Sequence, residues 1–370
     1  MKFRKTVFCS ITTLAILVAS IVFSAAFASH PQQASAKEPA KRVAPKTIEY
    51  PVTSGSDPWG NAVDKSGNVW VALPGCDLSP MCPQGSFPGK INEFNPTTST
   101  WTASYTLPTG YAQPLFLAFD KLGQLWFTMP MNNSIGEFNP STHVFQKWGV
   151  LTANSGPWDV AIDGNGMIWF TEHYANKIGK FNPTTHAFIE IATPSTVSQP
   201  YGITVDASNN VWFTENNSAV ALIAEYTAQG KLNEYKIRTT SDSNLTPHLI
   251  TVDTKGNIWW TEGFVGMIGK LTVSKAVPGT NKGVKEYSYS QLCKGCGEHT
   301  SGIGIASNGL VWFDDSLQST FGSFATSGFG SFKMFKTPSS SSHPHDGLVV
   351  DSQHFVWIDE EFGNKLAKAN

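Results

Sequence analysis

Apolar and polar positions alternate in short bursts along most of the chain, and the bursts return in one order. The stretch NNVWFTE at 209–215 is an apolar strand closed by a carboxylate, and GMIWFTE at 166–172 and GNIWWTE at 256–262 repeat it. Ahead of each lies a strand of alternating apolar and small residues, such as YGITVD, and a turn rich in Asp, Asn and Gly suited to a tight hairpin. Behind each follow a third strand, as in NKIGKFNP, and a fourth, as in AFIEIATP. Anchored on its Trp, the unit recurs at Trp70, Trp126, Trp169, Trp212, Trp259, Trp312 and Trp357, at spacings of 43 to 56 residues. Six residues before each stand Asp64, Asp120, Asp163, Asp206, Asp253, Ala306 and Asp351.

Four strands per repeat of this length predict a β-propeller blade, and seven copies predict an all-β, seven-bladed β-propeller over 47–370. A stacked solenoid is the alternative, but a Trp in every second strand suits wedge packing between radial sheets. The last copy stops after its third strand, NKLAKAN, while an orphan strand, TIEYPVTSG at 47–55, precedes the first. The N-terminal strand is therefore expected to close the last blade and leave no open edge.

In such a meander the tight turns between strands 1 and 2 occupy one face. The entries to strand 1 and the ends of strand 2 occupy the other, where functional loops gather. Entry residues vary within the regular frame: Trp59, Leu115, Trp158, Tyr201, His248, Ser301 and Asp346. Strand 2 ends at Leu73, Met129, Glu172, Glu215, Glu262, Asp315 and Glu360, and a carboxylate used in five blades reads first as structure. Trp59, Trp158, Tyr201 and Asp346 are candidate substrate contacts. His173, His248, His299, His343 and His345 fall on the same face, and with Glu262, Glu298, Asp315, Asp346 and Glu360 they form a candidate metal or acid–base cluster.

Composition adds the setting. The formal charge of −2 offers no basic field for nucleic acid. Lys2, Arg4 and Lys5 precede an apolar run to about Ala28, with AFA and ASA as cleavage sequences, so 1–36 reads as a secretory signal peptide and 37–46 as a linker. A retained anchor is the rival reading. Either way the expected location is secreted or cell-surface, with no membrane contact beyond that segment, as a monomer. Four cysteines remain in the exported part, Cys76, Cys82, Cys293 and Cys296, which suggests disulfides, with the local pairs Cys76–Cys82 and Cys293–Cys296 preferred over zinc.

The repeats PYGITVDASNNVWFTE, GPWDVAIDGNGMIWFTE and TPHLITVDTKGNIWWTE, followed by KIGKFNP or MIGKL, resemble the streptogramin B lyases, also called virginiamycin B lyases. NHL-type and gluconolactonase-like propellers share part of the frame. The resemblance implies opening of a cyclic depsipeptide by β-elimination: a His removes the proton α to a carbonyl, and a magnesium ion polarises that carbonyl. By repeat position, a functional His falls on His248, the base His on Ser301, a metal carboxylate on His299 with Glu298 adjacent, and a catalytic Glu on Asp315. An aromatic substrate contact falls on Trp59. Together with the strand-end cluster, this gives His248, His299, Asp315 and Glu262 as the candidate catalytic set, with Glu298 and His299 toward the Mg2+ that the resemblance implies. Serine at 301 cannot act as the base. The functional readings left open are a metal-assisted carbon–oxygen lyase with an altered centre, a non-catalytic secreted propeller that binds a small molecule or peptide on its loop-rich face, and a gluconolactonase-like hydrolase.

Overall fold

The tryptophan repeat is the packing unit of the molecule. In the computed structural model, which describes residues 46–76, 89–238, 243–289, 292, 297–327 and 332–370, seven four-stranded antiparallel sheets surround one axis. Strand 2 is buried along its whole length in six blades, as in Val69–Leu73 and Val211–Glu215, and in the sixth from Val311 to Asp315. In five blades its Trp reaches an aromatic ring of the next blade: Trp70 meets Phe138 at 6.0 Å between centroids, Trp126 Phe181 at 5.8 Å, Trp169 Tyr226 at 5.7 Å, Trp259 Phe324 at 5.7 Å and Trp357 Phe94 at 5.5 Å. Such pairs add about 0.5–1.5 kcal/mol each beyond their buried area, and here they join one sheet to the next.

The fixed offset between Asp and Trp has a direct cause. Asp206 Oδ1 accepts the backbone N–H of Ser208 (2.8 Å) and Asn210 (3.0 Å), which closes the hairpin turn, while Oδ2 accepts the indole N–H of Trp212 at 3.0 Å. The same indole bond recurs at 2.9–3.2 Å from Asp64, Asp120, Asp163, Asp253 and Asp351. In the sixth blade Ala306 has no carboxylate to offer, and the buried Trp312 Nε1 has no hydrogen-bond partner.

A second tie lies inside the WFTE motif. The hydroxyl of Thr214 accepts the N–H of Gly202 at 2.9 Å and donates to the carbonyl of His248, in the next blade, at 2.6 Å. Thr171 donates likewise to the Tyr201 carbonyl at 2.8 Å, Thr261 to Ser301 at 2.7 Å, and Thr128 to Trp158. Each threonine therefore pins the entry residue of the following blade. Blades 6 and 7 carry Asp314 and Asp359 at this place.

The seventh sheet is made of Pro344–Val350, Val356–Glu360, Lys365–Ala369 and the N-terminal strand Ile48–Pro51. The last two pair antiparallel from Ile48 opposite Lys368 to Pro51 opposite Lys365, and Lys365 Nζ bonds Glu49 at 2.6 Å. Residues 1–45, on which the expected signal peptide and most of the expected linker fall, and Cys82, Cys293 and Cys296 lie outside the described residues. Cys76 lies within them, and its pairing falls outside.

Candidate functional site

The variable entry residues converge at the axial end of the loop-rich face. Three of their strands are bulged there. Pro157 pairs with Glu172 but Val160 with Phe170, and similar shifts separate Pro200 from Ile203 and Pro344 from Leu348. A bulge re-aims side chains out of the sheet alternation. It places Trp158 5.5 Å from Tyr201, Tyr201 5.0 Å from His248, and Trp59 6.4 Å from Trp158, between ring centroids. Tyr201 donates its hydroxyl to Asp346 Oδ2 across the axis. All five are buried, forming the floor of a pit. Burial raises the Asp346 carboxyl, partly offset by His248, Tyr201 and Trp59.

The histidines meet at one side of this floor. His248 Nε2 and His299 Nε2 are 3.0 Å apart, with ring planes at 82°. The tautomers follow from the outer partners. His248 Nδ1 faces the Thr246 carbonyl at 2.6 Å, an acceptor only, so Nδ1 carries the proton and Nε2 a lone pair. His299 must then donate its Nε2–H to that lone pair, and its Nδ1 accepts from the Ser316 hydroxyl at 2.9 Å. Burial drives His248 down to about 4 and His299 well below its usual range, the latter also through the neighbouring imidazoles, so both rings are neutral at pH 7.

His299 is clamped on both sides. Phe264 stacks on it at 4.3 Å and 25°, and His345 at 5.2 Å and 25°. The column continues through His343, 5.3 Å from His345, to Phe362, 4.1 Å further at 8°. His343 Nδ1 bonds the buried Glu361 at 2.8 Å, and His345 lies edge-on to Trp59 at 5.0 Å. His173 joins the opposite wall, 5.2 Å from Trp158. The five histidines expected on this face thus line one connected set of rings.

The carboxylates divide differently. Asp315 Oδ1 accepts the backbone N–H of His299 at 3.2 Å, and Oδ2 accepts the Tyr289 hydroxyl at 2.7 Å and Gln318 Nε2 at 2.9 Å, so Asp315 positions His299. Glu262 does not join the pit. It is fully buried, bonds Trp260 Nε1 at 2.9 Å, and is pushed well up by burial and then by Glu286 of the fourth strand. Glu172, Glu215 and Glu360 follow the same rule: burial, then Glu190, Glu234 and Glu49, raise them to about 7, 8 and 8. The repeated strand-2 glutamate is a buried packing group whose carboxyl is shifted toward its protonated form. Glu298 lies over the backbone of Gly266, with Oε2 2.2 Å from where a Cβ on that glycine would stand. Ser301 is enclosed, its hydroxyl bonding Asp314 Oδ1 at 3.0 Å and accepting the Asp346 N–H at 3.0 Å.

These commitments bear on magnesium, which takes hard oxygen donors in near-octahedral array. Both ring nitrogens of His299 and both oxygens of Asp315 are engaged in the bonds above. Among the described residues no three His, Cys, Asp or Glu side chains are disposed to hold an ion. His299 and Asp315 therefore have no donor atom left over for the cation.

Fold and site define a seven-bladed propeller with a buried aromatic and imidazole pit on one face. Residues 89–288, more than half of the chain, match the virginiamycin B lyase family, and the protein belongs to that family. Among solved structures, it is similar to a streptogramin B lyase (24% identity, TM-score 0.74, covering 88% of this chain and 98% of that one). It is also similar to virginiamycin B lyase from Staphylococcus aureus (24%, 0.73, 88% and 99%). A third similar structure is a catalytically inactive form of that enzyme with quinupristin (23%, 0.74, 88% and 99%). At these identities the structural likeness is one of fold. No curated protein matches the sequence.

Proposed function

We propose that the protein is an exported carbon–oxygen lyase that opens a cyclic, depsipeptide-like ester by β-elimination, with His248 and His299 as its reacting pair. The observation that carries this reading is the 3.0 Å contact between two neutral imidazoles of fixed and opposite polarity. Without ligand they bond each other. When a substrate inserts between them, the His248 Nε2 lone pair faces the proton α to a carbonyl, and the His299 Nε2–H faces the carbonyl oxygen. A neutral imidazole is a competent electrophile for an enolate where burial suppresses its protonation. The proton passes to His248 and the C–H electron pair forms the Cα=Cβ bond. The β carbon–oxygen bond breaks with the ester oxygen leaving as a carboxylate, and no water is consumed. His248 later returns the proton to solvent.

Ser316 and Asp315 hold His299 in register, and Thr214 and Thr246 hold His248. Trp59, Trp158, Tyr201 and Asp346 form the floor on which the ring rests. The low proton affinity of His248 makes it a weak base, so turnover is expected to be slow. The experiment is turnover of a type B streptogramin by wild type, His248→Ala and His299→Ala. Loss of about 10²- to 10⁴-fold in either variant, with unchanged folding, is expected for removing a general acid or base. Variants as fast as wild type would refute the assignment.

A further inference from the structure

The aspartate that fixes each repeat tryptophan is replaced in one blade, and a recess opens at that place. In six blades the indole N–H ends on the carboxylate six residues earlier, at 2.9–3.2 Å. In the sixth blade that position is Ala306, and the buried Trp312 Nε1 has no acceptor among the described residues. The ring keeps the orientation of the others: Trp312 faces Phe335 of its own fourth strand at 6.4 Å and 37°, as Trp212 faces Tyr235 at 5.6 Å and 27°. Its N–H is therefore directed at the methyl of Ala306. A buried N–H with nothing to bond is costly and rare in a native fold.

Ala306 lines a recess of about 220 Å³ between blades 5 and 6, on the face of the strand 1–2 turns and away from the pit. The exposed Lys255 lines it from the fifth blade, and Thr254, Ser307, Thr326 and Ser327 bring hydroxyl-bearing side chains to its wall. Asp253 also lines it, but its carboxylate is bound within its own turn. It accepts the backbone N–H of Lys255 and of Asn257, each at 2.9 Å, and the Trp259 indole at 3.0 Å. The turn of the sixth blade closes by another route, since Asn308 Oδ1 accepts the Leu310 N–H at 3.1 Å. What position 306 leaves unfilled is an acceptor for an indole N–H near a lysine, and a carboxylate suits both partners. A carboxyl group fills only part of the recess, and the polar wall suits a short chain attached to it.

We infer that this recess binds a small organic acid as its carboxylate, with one oxygen accepting the Trp312 N–H in the place that an aspartate holds in the other six blades. The second oxygen faces Lys255, and the hydroxyls of the wall take the rest of the acid. The site is independent of the chemistry of the pit.

The test follows the tryptophan indole N–H resonances of the full chain, isotope-labelled at that nitrogen. Sodium acetate or sodium lactate is added, with sodium chloride of equal ionic strength as the baseline. The Trp312 resonance is the one missing from Trp312→Phe. It should move saturably to lower field, towards the six hydrogen-bonded indoles, while those six stay in place. Ala306→Asp should put it there without any acid and abolish the response, because the protein then supplies its own carboxylate. Lys255→Gln should weaken the apparent affinity roughly two- to fivefold, the range of an exposed charge pair. A Trp312 resonance that moves in neither acid beyond the chloride baseline would overturn the inference. So would a response that survives Ala306→Asp, or an equal response to sodium sulfate, which would make this a site for anions in general.

Discussion

Replacing Thr214 by Val tests the tie between neighbouring blades with almost no change in shape. The hydroxyl accepts the Gly202 N–H at 2.9 Å and donates to the His248 carbonyl at 2.6 Å, and the side chain has no exposed surface. Valine fills the same volume, so no cavity forms, but one buried donor and one buried acceptor lose their partner where water has no access. Each such group costs about 1–3 kcal/mol, so the variant should lose roughly 2–6 kcal/mol of unfolding free energy. Thr214→Ser keeps the hydroxyl and deletes one methyl, which costs about 1 kcal/mol. Urea unfolding with a common slope separates the two. The His248 carbonyl also loses its anchor, so streptogramin turnover should fall in Thr214→Val even at temperatures where the variant is fully folded. A Val variant within 0.5 kcal/mol of wild type, taken as the approximate limit for an inconsequential substitution, would refute the reasoning. A Ser variant as unstable as Val would do so too.

Two further outcomes follow from the same frame. Ala306→Asp should stabilise the protein by about 1–2 kcal/mol, because it gives Trp312 Nε1 the acceptor that six other blades supply; a lower melting temperature would count against that geometry. Stability should also fall as pH rises from 7 to 9. Glu215 and Glu360 are raised to about 8 in the fold, so the folded state holds protons that the unfolded chain has already released. Their stabilisation is complete below the unfolded carboxylate range and is lost as pH rises through 8, by about 1 kcal/mol per group between pH 7 and 8. A melting temperature that stays level or climbs across that window would contradict the protonated assignment.

Much of this architecture was legible in the sequence because it depends on spacing. The Asp–Trp offset, the Gly and Asn turns and the seven units can be counted, and the entry residues that meet in the pit occupy a repeat position that varies inside that frame. Side-chain direction at strand ends was not legible. Glu262 and Asp315 hold the same repeat position, yet Glu262 bonds Trp260 and lies beside Glu286, while Asp315 meets Tyr289 and the backbone of His299. The one-methylene difference gives no warning of that. The bulges that aim Trp158, Tyr201 and Asp346 also leave no mark in the apolar pattern. Two signals were present and went unread: the threonine preceding the strand-2 terminus in blades 2 to 5, and the large apolar residue two places after it in blades 3, 5, 6 and 7.

The central claim is that two neutral imidazoles, without a bound cation, carry out the elimination. The most direct measurement is kcat/KM for a neutral type B streptogramin with wild type, His248→Ala and His299→Ala, each in buffer with chelator and again with added magnesium. The account predicts slow wild-type turnover to an open-chain product carrying a new Cα=Cβ bond, unchanged by chelator, and lost by about 10²-fold or more in both variants. Turnover that requires magnesium, or that survives either substitution, would contradict it.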